Sequence, residues 1–178
     1  MSILMVLEQQ FGQWHRMSWE TLAAGQQLGA TLGEPVEAAL LGKNLGALAN
    51  EAATQKLAKV WAVEHDLLDS YTADGYTAAI EQLIKKTQPK LVLFPHTYQV
   101  RDFAPKLATR FSQALVSDVI AARVEAGPVT LVRQCFQGKL KGDVRVSGVG
   151  PVCAALTDGA GRARAAAVRR GGALLEFL

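Results

Sequence analysis

The sequence predicts an α/β protein built on a mostly parallel sheet, with a β-rich extension towards its C-terminal end. Two observations carry that prediction. Between residues 3 and 115, short apolar runs alternate with amphipathic segments of helical period, the pattern of βα units whose strands are buried on both faces. From Val116 the helical segments stop and strand-like segments follow one another, punctuated by Gly127–Pro128 and Gly138.

Ile3–Leu7 is a short apolar run suited to a buried parallel strand. A helix is predicted over Trp19 to Leu28, with Ser18 as N-cap, Glu20 in the first turn and Gly29 as the residue that closes it. "PVEAALLG" reads as a second strand and "NLGALANEAATQ" as a weaker helix with Asn44 as candidate cap. Lys59–Val63 is a third strand.

Asp74 then caps "GYTAAIEQLIKKTQ", where Tyr76, Ala79, Ile80, Leu83 and Ile84 share one face. Lys85 and Lys86 suit the negative end of that helix, and Pro89 stops it. "KLVLF" is the fourth strand, and Phe103 to Leu115 form the next helix on an apolar stripe of Phe103, Leu107, Ala108 and Phe111. "VSDVIAARVE", "PVTLVRQCF", "KGDVRVSG" and "PVCAALT" are the strands of the extension. Residues 1–158 read as one α/β domain, and 159–178 as a Gly/Ala/Arg-rich tail or linker ending in an apolar hook, Leu174–Leu178.

Composition narrows the function classes. Of 178 residues, 49% are hydrophobic and 20% charged, the profile of a globular protein, and no apolar run approaches the length of a membrane span. The net charge of +3 lies wholly in the tail, where Arg162, Arg164, Arg169 and Arg170 face only Glu176. A basic tail so short and poor in aromatics argues against nucleic-acid binding. Cys135 and Cys153 stand alone in apolar runs, as buried thiols of a reducing cytoplasm do. The N-terminus meets Glu8 after five apolar residues and has no basic region, so it reads as a strand and not as a secretion signal.

The motifs of common α/β enzymes are missing. "LEQQFGQWHR" follows the first strand where a dinucleotide fold carries GxGxxG, and neither a P-loop nor a GxSxG elbow occurs. "GVGPVCA" is a turn into a strand, because Pro151 leaves no helix N-terminus to receive a phosphate. His15, His65 and His96 fall in three separate loops without carboxylates or thiols at ligand spacing, so no metal site is predicted. His15 and His65 read as surface loop residues, and Ser117-Asp118 as a hydrogen-bonded bend.

His96 differs through its place at the carboxyl end of the fourth strand, where open α/β sheets bind ligands. His96, Thr97 and Arg101 are therefore the candidate cofactor-binding residues. Thr97 or Asp102 is expected to cap the following helix, with Arg101 facing an anion or a partner carboxylate. The alternative is purely structural: Thr97 and Asp102 satisfy free N–H groups and Arg101 pairs with a neighbouring loop.

The same stretch resembles a known family. "LVLFPHTYQVRDFAPKLATRFSQALVSDVI" is similar to electron transfer flavoprotein α subunits, where a strand leads to Thr-Ser-x-x-x-Arg/Lys-Asp, Pro-Arg-Leu-Ala and Ser-Asp-Val. Thr97, Arg101, Asp102, Pro105, Leu107, Ala108, Ser117, Asp118 and Val119 stand in the corresponding places. "VRQCFQGKL" resembles the family's Arg-Pro-x-Tyr-Ala-Gly-Asn-Ala stretch through Arg133 and Gly138, and the opening strand and Ala-rich helix also match. Lys106, Tyr98 and most positions around Cys135 depart from the pattern, which marks a divergent member.

The resemblance implies a three-layer α/β/α sandwich of the adenine-nucleotide-hydrolase-like kind. It also implies a scaffold and subunit-interface module in FAD-mediated electron transfer, with Asp102, Ser117, Asp118 and Arg133 as interface or structural residues. Family α subunits continue into a C-terminal domain with most of the FAD contacts. FAD is thus expected in the complete complex and not bound tightly by this chain, which is either naturally short or part of a longer protein. The implied partners are an electron transfer flavoprotein β subunit and dehydrogenase or quinone-reductase redox partners. Two other readings stay open: a free-standing adenine-nucleotide- or anion-binding protein using His96–Asp102, and a homodimer that covers exposed strand edges.

Overall fold

The computed structural model describes residues 2–124, 129–157 and 173–176. Its elements are β1 (Ile3–Leu7), β2 (Gln9–Gln10), β3 (Gln13–Trp14), α1 (Arg16–Leu32), β4 (Val36–Gly42), α2 (Gly46–Ala53) and β5 (Lys59–Glu64). After a 3-10 turn at Asp66–Leu68 come α3 (Ala73–Thr87), β6 (Leu91–Pro95), α4 (Tyr98–Arg110), β7 (Leu115–Val124), β8 (Val129–Cys135), β9 (Leu140–Val144), β10 (Val152–Leu156) and β11 (Ala173–Glu176).

One sheet runs β5-β4-β1-β6-β10-β7-β8-β9. The strands from β5 to β7 are parallel, and β8 and β9 continue antiparallel. The predicted α/β class with its β-rich extension therefore holds, with one reassignment. "PVCAALT" supplies β10, which inserts between β6 and β7 as a parallel strand instead of lengthening the extension. Its run of small apolar residues fits a position covered on both faces. The amino-terminal half of β7 pairs with β10, and its other half with β11, antiparallel. The predicted tail otherwise lies outside the described residues.

Helices cover both faces, giving three layers. On one side α3 and α4 pack Ile80, Phe103 and Leu107 over Leu4, Val6 and Phe94. On the other, α1 sets Leu22 and Leu28 over Met5 and Leu93, while α2 packs Leu48 over Leu40. Strand neighbours alternate between the two cores, as the two-residue pleat requires.

Helix ends moved where tertiary contacts override local signals. α1 begins after His15, whose Nδ1 accepts from the Met17 N–H at 3.2 Å, and ends at Gly33 in the left-handed region. Gly29 lies inside the helix, because a Cβ there would come within 2.2 Å of Val36 Cγ2. Thr72, not Asp74, caps α3, and Asp74 in its first turn pairs with Lys106 of α4. Asn44 does not cap α2, which starts without a side-chain cap. α4 starts at Tyr98, five residues ahead of the predicted Phe103, because Thr97 caps it.

Candidate functional site

The strand order reverses at β1 and β6: β4 and β5 lie on one side of that pair, β10 and β7 on the other. In open α/β sheets, ligands bind in the crevice outside the carboxyl ends of the strands at such a point. Here that place belongs to Glu8, directly after β1, and Thr97, directly before α4. The Thr97 hydroxyl donates to the Glu8 carboxylate and accepts from the Val100 N–H at 3.2 Å, so a single side chain both caps α4 and ties it to β1. Glu8 is only 5% exposed. Ser18, predicted as a cap, instead sits inside α1 and brackets Glu8's backbone, accepting from its N–H and donating to its carbonyl, both at 2.8 Å.

The space remaining behind this pair, between Leu7, Leu41 and Phe103, measures about 10 Å³, the scale of a single water. A dinucleotide such as FAD would place its pyrophosphate against backbone N–H groups at this point, and the chain places a buried carboxylate there. These residues do not fit a flavin dinucleotide at the switch point. Thr97, predicted as a cofactor contact, has its hydroxyl committed to the fold.

The other predicted residues gather further out, where α4 leaves part of β7 uncovered. His96, Arg101, Thr109, Gln113, Ser117 and Asp118 line a cavity of about 480 Å³. Asp118 has φ +57° at an irregular step of the β7–β10 pairing, which explains the bend predicted at Ser117-Asp118. Its carboxylate lies between His96 Nε2 at 3.4 Å and Arg133 Nη2 at 3.5 Å, and the same Arg133 nitrogen donates to Ser117 Oγ at 3.3 Å. His96 Nδ1 and Arg133 Nε are buried without a hydrogen-bond partner. Burial pushes the His96 pKa below its ordinary value; Asp118 opposes that, while Arg101 and Arg133 reinforce it.

Arg101 stands apart. It is exposed in the first turn of α4, with its guanidinium 5.8 Å from the Tyr98 ring, and it has no ion pair among the described residues. Asp102 faces away from this cavity and accepts from the Tyr71 hydroxyl at 2.7 Å, which joins the segment before α3 to α4. Burial, reinforced by Asp102, pushes the Tyr71 pKa well above the usual phenol range. His15 and His65 are less idle than predicted: the Nδ1 atom of each accepts a backbone N–H at a helix start.

The structure brings His96, Ser117, Asp118 and Arg133 together, with Arg101 in the wall of the same cavity, whereas the sequence reading kept His96, Thr97 and Arg101 apart from Asp102, Ser117, Asp118 and Arg133 and gave no role to Glu8, Tyr71 or Gln113. Glu8 left one usable signal, a charge directly after a wholly buried strand. Among the described residues no group of His, Cys, Asp and Glu is placed to hold a metal, and Ser117 accepts from Arg133 where a nucleophile would need a base. No helix among the described residues is long and apolar enough to cross a membrane.

Fold and site together define a doubly wound α/β domain whose switch point carries a buried carboxylate tied to the following helix by Thr97. The family follows from comparison with known proteins. Residues 3–173 match the electron transfer flavoprotein domain, and the chain belongs to that family. It is 34% identical over 142 residues to the electron transfer flavoprotein subunit alpha of Syntrophomonas wolfei, covering 80% of this chain and 44% of that protein. The corresponding subunit of Bacillus subtilis is 34% identical over 128 residues, or 72% of this chain and 39% of that protein. Protein FixB of Azorhizobium caulinodans is 31% identical over 138 residues, 75% of this chain and 37% of its own length. The chain spans less than half the length of these curated relatives.

Proposed function

We propose that this chain serves as the N-terminal-type domain of an electron transfer flavoprotein α subunit, with residues 1–158 forming a scaffold and subunit-interface module. It packs against a β-type subunit in the cytoplasm and supports a flavin domain without holding FAD itself. The observation that carries this reading is the Glu8–Thr97 hydrogen bond, which fills the switch point with a carboxylate where a cofactor phosphate would need donors.

Exposed apolar side chains support the interface role. Phe136 and Leu140 flank the β8–β9 turn with 75% and 58% of their surface open, Val149 is fully exposed, and β9 is an edge strand. The test has two arms. Purified chain titrated with FAD is expected to show no binding by calorimetry and to remain colourless. Mixed with an electron transfer flavoprotein β subunit, it is expected to co-elute on gel filtration, and Phe136→Ser is expected to weaken that association. A micromolar or tighter FAD constant for the chain alone overturns the scaffold reading.

A further inference from the structure

We propose that the cavity between α4 and β7 is a binding site for a small carboxylate that also carries a hydroxyl or amino donor, anchored by Arg101 and oriented by Asp118. This goes beyond the scaffold role and does not depend on it.

Charge is the first ground. Among the described residues, Arg101 and Asp118 bring charge to the wall of this cavity, and Arg133 lies behind Asp118. Arg133 offsets Asp118, so Arg101 is left as one uncompensated positive charge. It also occupies the first turn of α4, the end of a helix where a cation is disfavoured by the macrodipole. With no acid in that turn and no ion pair among the described residues, the guanidinium is held there only by the Tyr98 ring. A single surplus positive charge with a planar fork of donors matches a monoanionic carboxylate.

The second ground is the set of polar groups left open. Asp118's contacts at 3.4 and 3.5 Å are ion-pair separations, longer than normal hydrogen bonds, so its oxygens keep lone pairs for a ligand donor. Ser117 Oγ accepts from Arg133 and retains its own proton to donate. The Gln113 amide makes no hydrogen bond within the described residues. It is kept at the rim by two glycines: a Cβ on Gly148 would lie 2.2 Å from Gln113 Nε2, and one on Gly150 would lie 2.9 Å from its Cγ.

The third ground is selectivity. Asp118 in the wall is a poor neighbour for a doubly charged phosphate but a good acceptor for a hydroxyl beside a carboxylate. The volume of about 480 Å³ lies within the range of small-molecule pockets, so a ligand larger than the minimal one is accommodated.

The test is an NMR titration of the full 178-residue chain with sodium glycolate, acetate and inorganic phosphate, at fixed ionic strength against chloride. Glycolate is expected to give saturable shifts at His96, Gln113 and Ser117. Acetate is expected to bind several-fold more weakly, and phosphate no better than acetate. Arg101→Gln, at an exposed position that should leave the fold intact, is expected to raise the glycolate constant about tenfold or more. Asp118→Asn is expected to abolish the preference for glycolate over acetate and to improve phosphate binding. Shifts that do not saturate, an unchanged constant in Arg101→Gln, or phosphate binding tighter than glycolate in the unaltered chain would each overturn the proposal.

Discussion

The Thr97 hydroxyl donates to the carboxylate of Glu8, joining the ends of two neighbouring parallel strands across the point where their order reverses. This bond is a structural joint at the floor of the crevice that Glu8, His96, Thr97 and Arg101 line, and it accounts for the precise start of α4.

Removing the Thr97 hydroxyl is therefore expected to cost more than an ordinary cap. Thr97→Val deletes the bond to the Val100 N–H and leaves the Glu8 carboxylate with one donor fewer in a buried place. Loss of about 2–4 kcal/mol is expected, the sum of a cap and a hydrogen bond to a charged group. Thr97→Ser should recover most of it. In a urea-unfolding double-mutant cycle with Glu8→Gln, a coupling of about 1 kcal/mol or more is expected. Strictly additive losses would show the two side chains to be independent.

Gly29 shows how helix packing hides from local reading. Its place in the sequence resembles a helix terminator, yet it lies inside α1 because the helix crosses Val36 too closely for any side chain. Gly29→Ala gains about 1 kcal/mol of helix propensity and loses about 1–3 kcal/mol to overpacking, since Val36 is stiff and the Glu34 carbonyl lies only 3.0 Å from the new Cβ. Net destabilisation by about 1 kcal/mol in thermal or urea unfolding is expected. A stabilised variant would mean that α1 can lift away from the sheet.

The same contrast governs what the sequence disclosed. Strands such as β1 and β6 were legible because burial on both faces demands unbroken apolar runs. His96 was singled out by its place at a strand end and Arg101, Ser117, Asp118 and Arg133 by family resemblance, but their meeting was not legible, since no local spacing joins residues of β7 and β8 to the end of β6. β10 was misplaced because an apolar run names a buried strand without naming its neighbours. Ser18 and Asp74 were misread as caps because His15 and Thr72 take the N–H groups first, leaving Ser18 free to hold Glu8 and Asp74 to hold Lys106.

The two cysteines are expected to react very differently. Cys153 is fully buried in β10, and burial pushes its thiol pKa up to about 12, so almost no thiolate forms at neutral pH. Cys135 is partly exposed at the end of β8. A chromogenic disulfide reagent should therefore titrate one thiol quickly in the folded chain, and the second only after unfolding. Cys135→Ser should remove the fast phase entirely; two fast thiols would mean that β10 opens readily.

Acid should weaken the fold through His96. Burial holds its folded pKa below the ordinary value of 6.5, so the folded chain favours neutral imidazole. At pH well above 6.5 neither state binds this proton, and His96 has no pH-dependent effect. As pH falls below 6.5, the unfolded chain takes up the proton first, and stability declines until folded His96 titrates as well. The groups around the ring decide how far: Asp118 favours the imidazolium, while Arg101 and Arg133 oppose it. Unfolding midpoints compared at about pH 7.5 and about pH 5 should fall less in His96→Gln than in the unaltered chain. Asp118→Asn should steepen the decline, because it removes the one neighbour that favours the charged ring. An identical acid response in all three proteins would place the acid-sensitive group elsewhere in the chain.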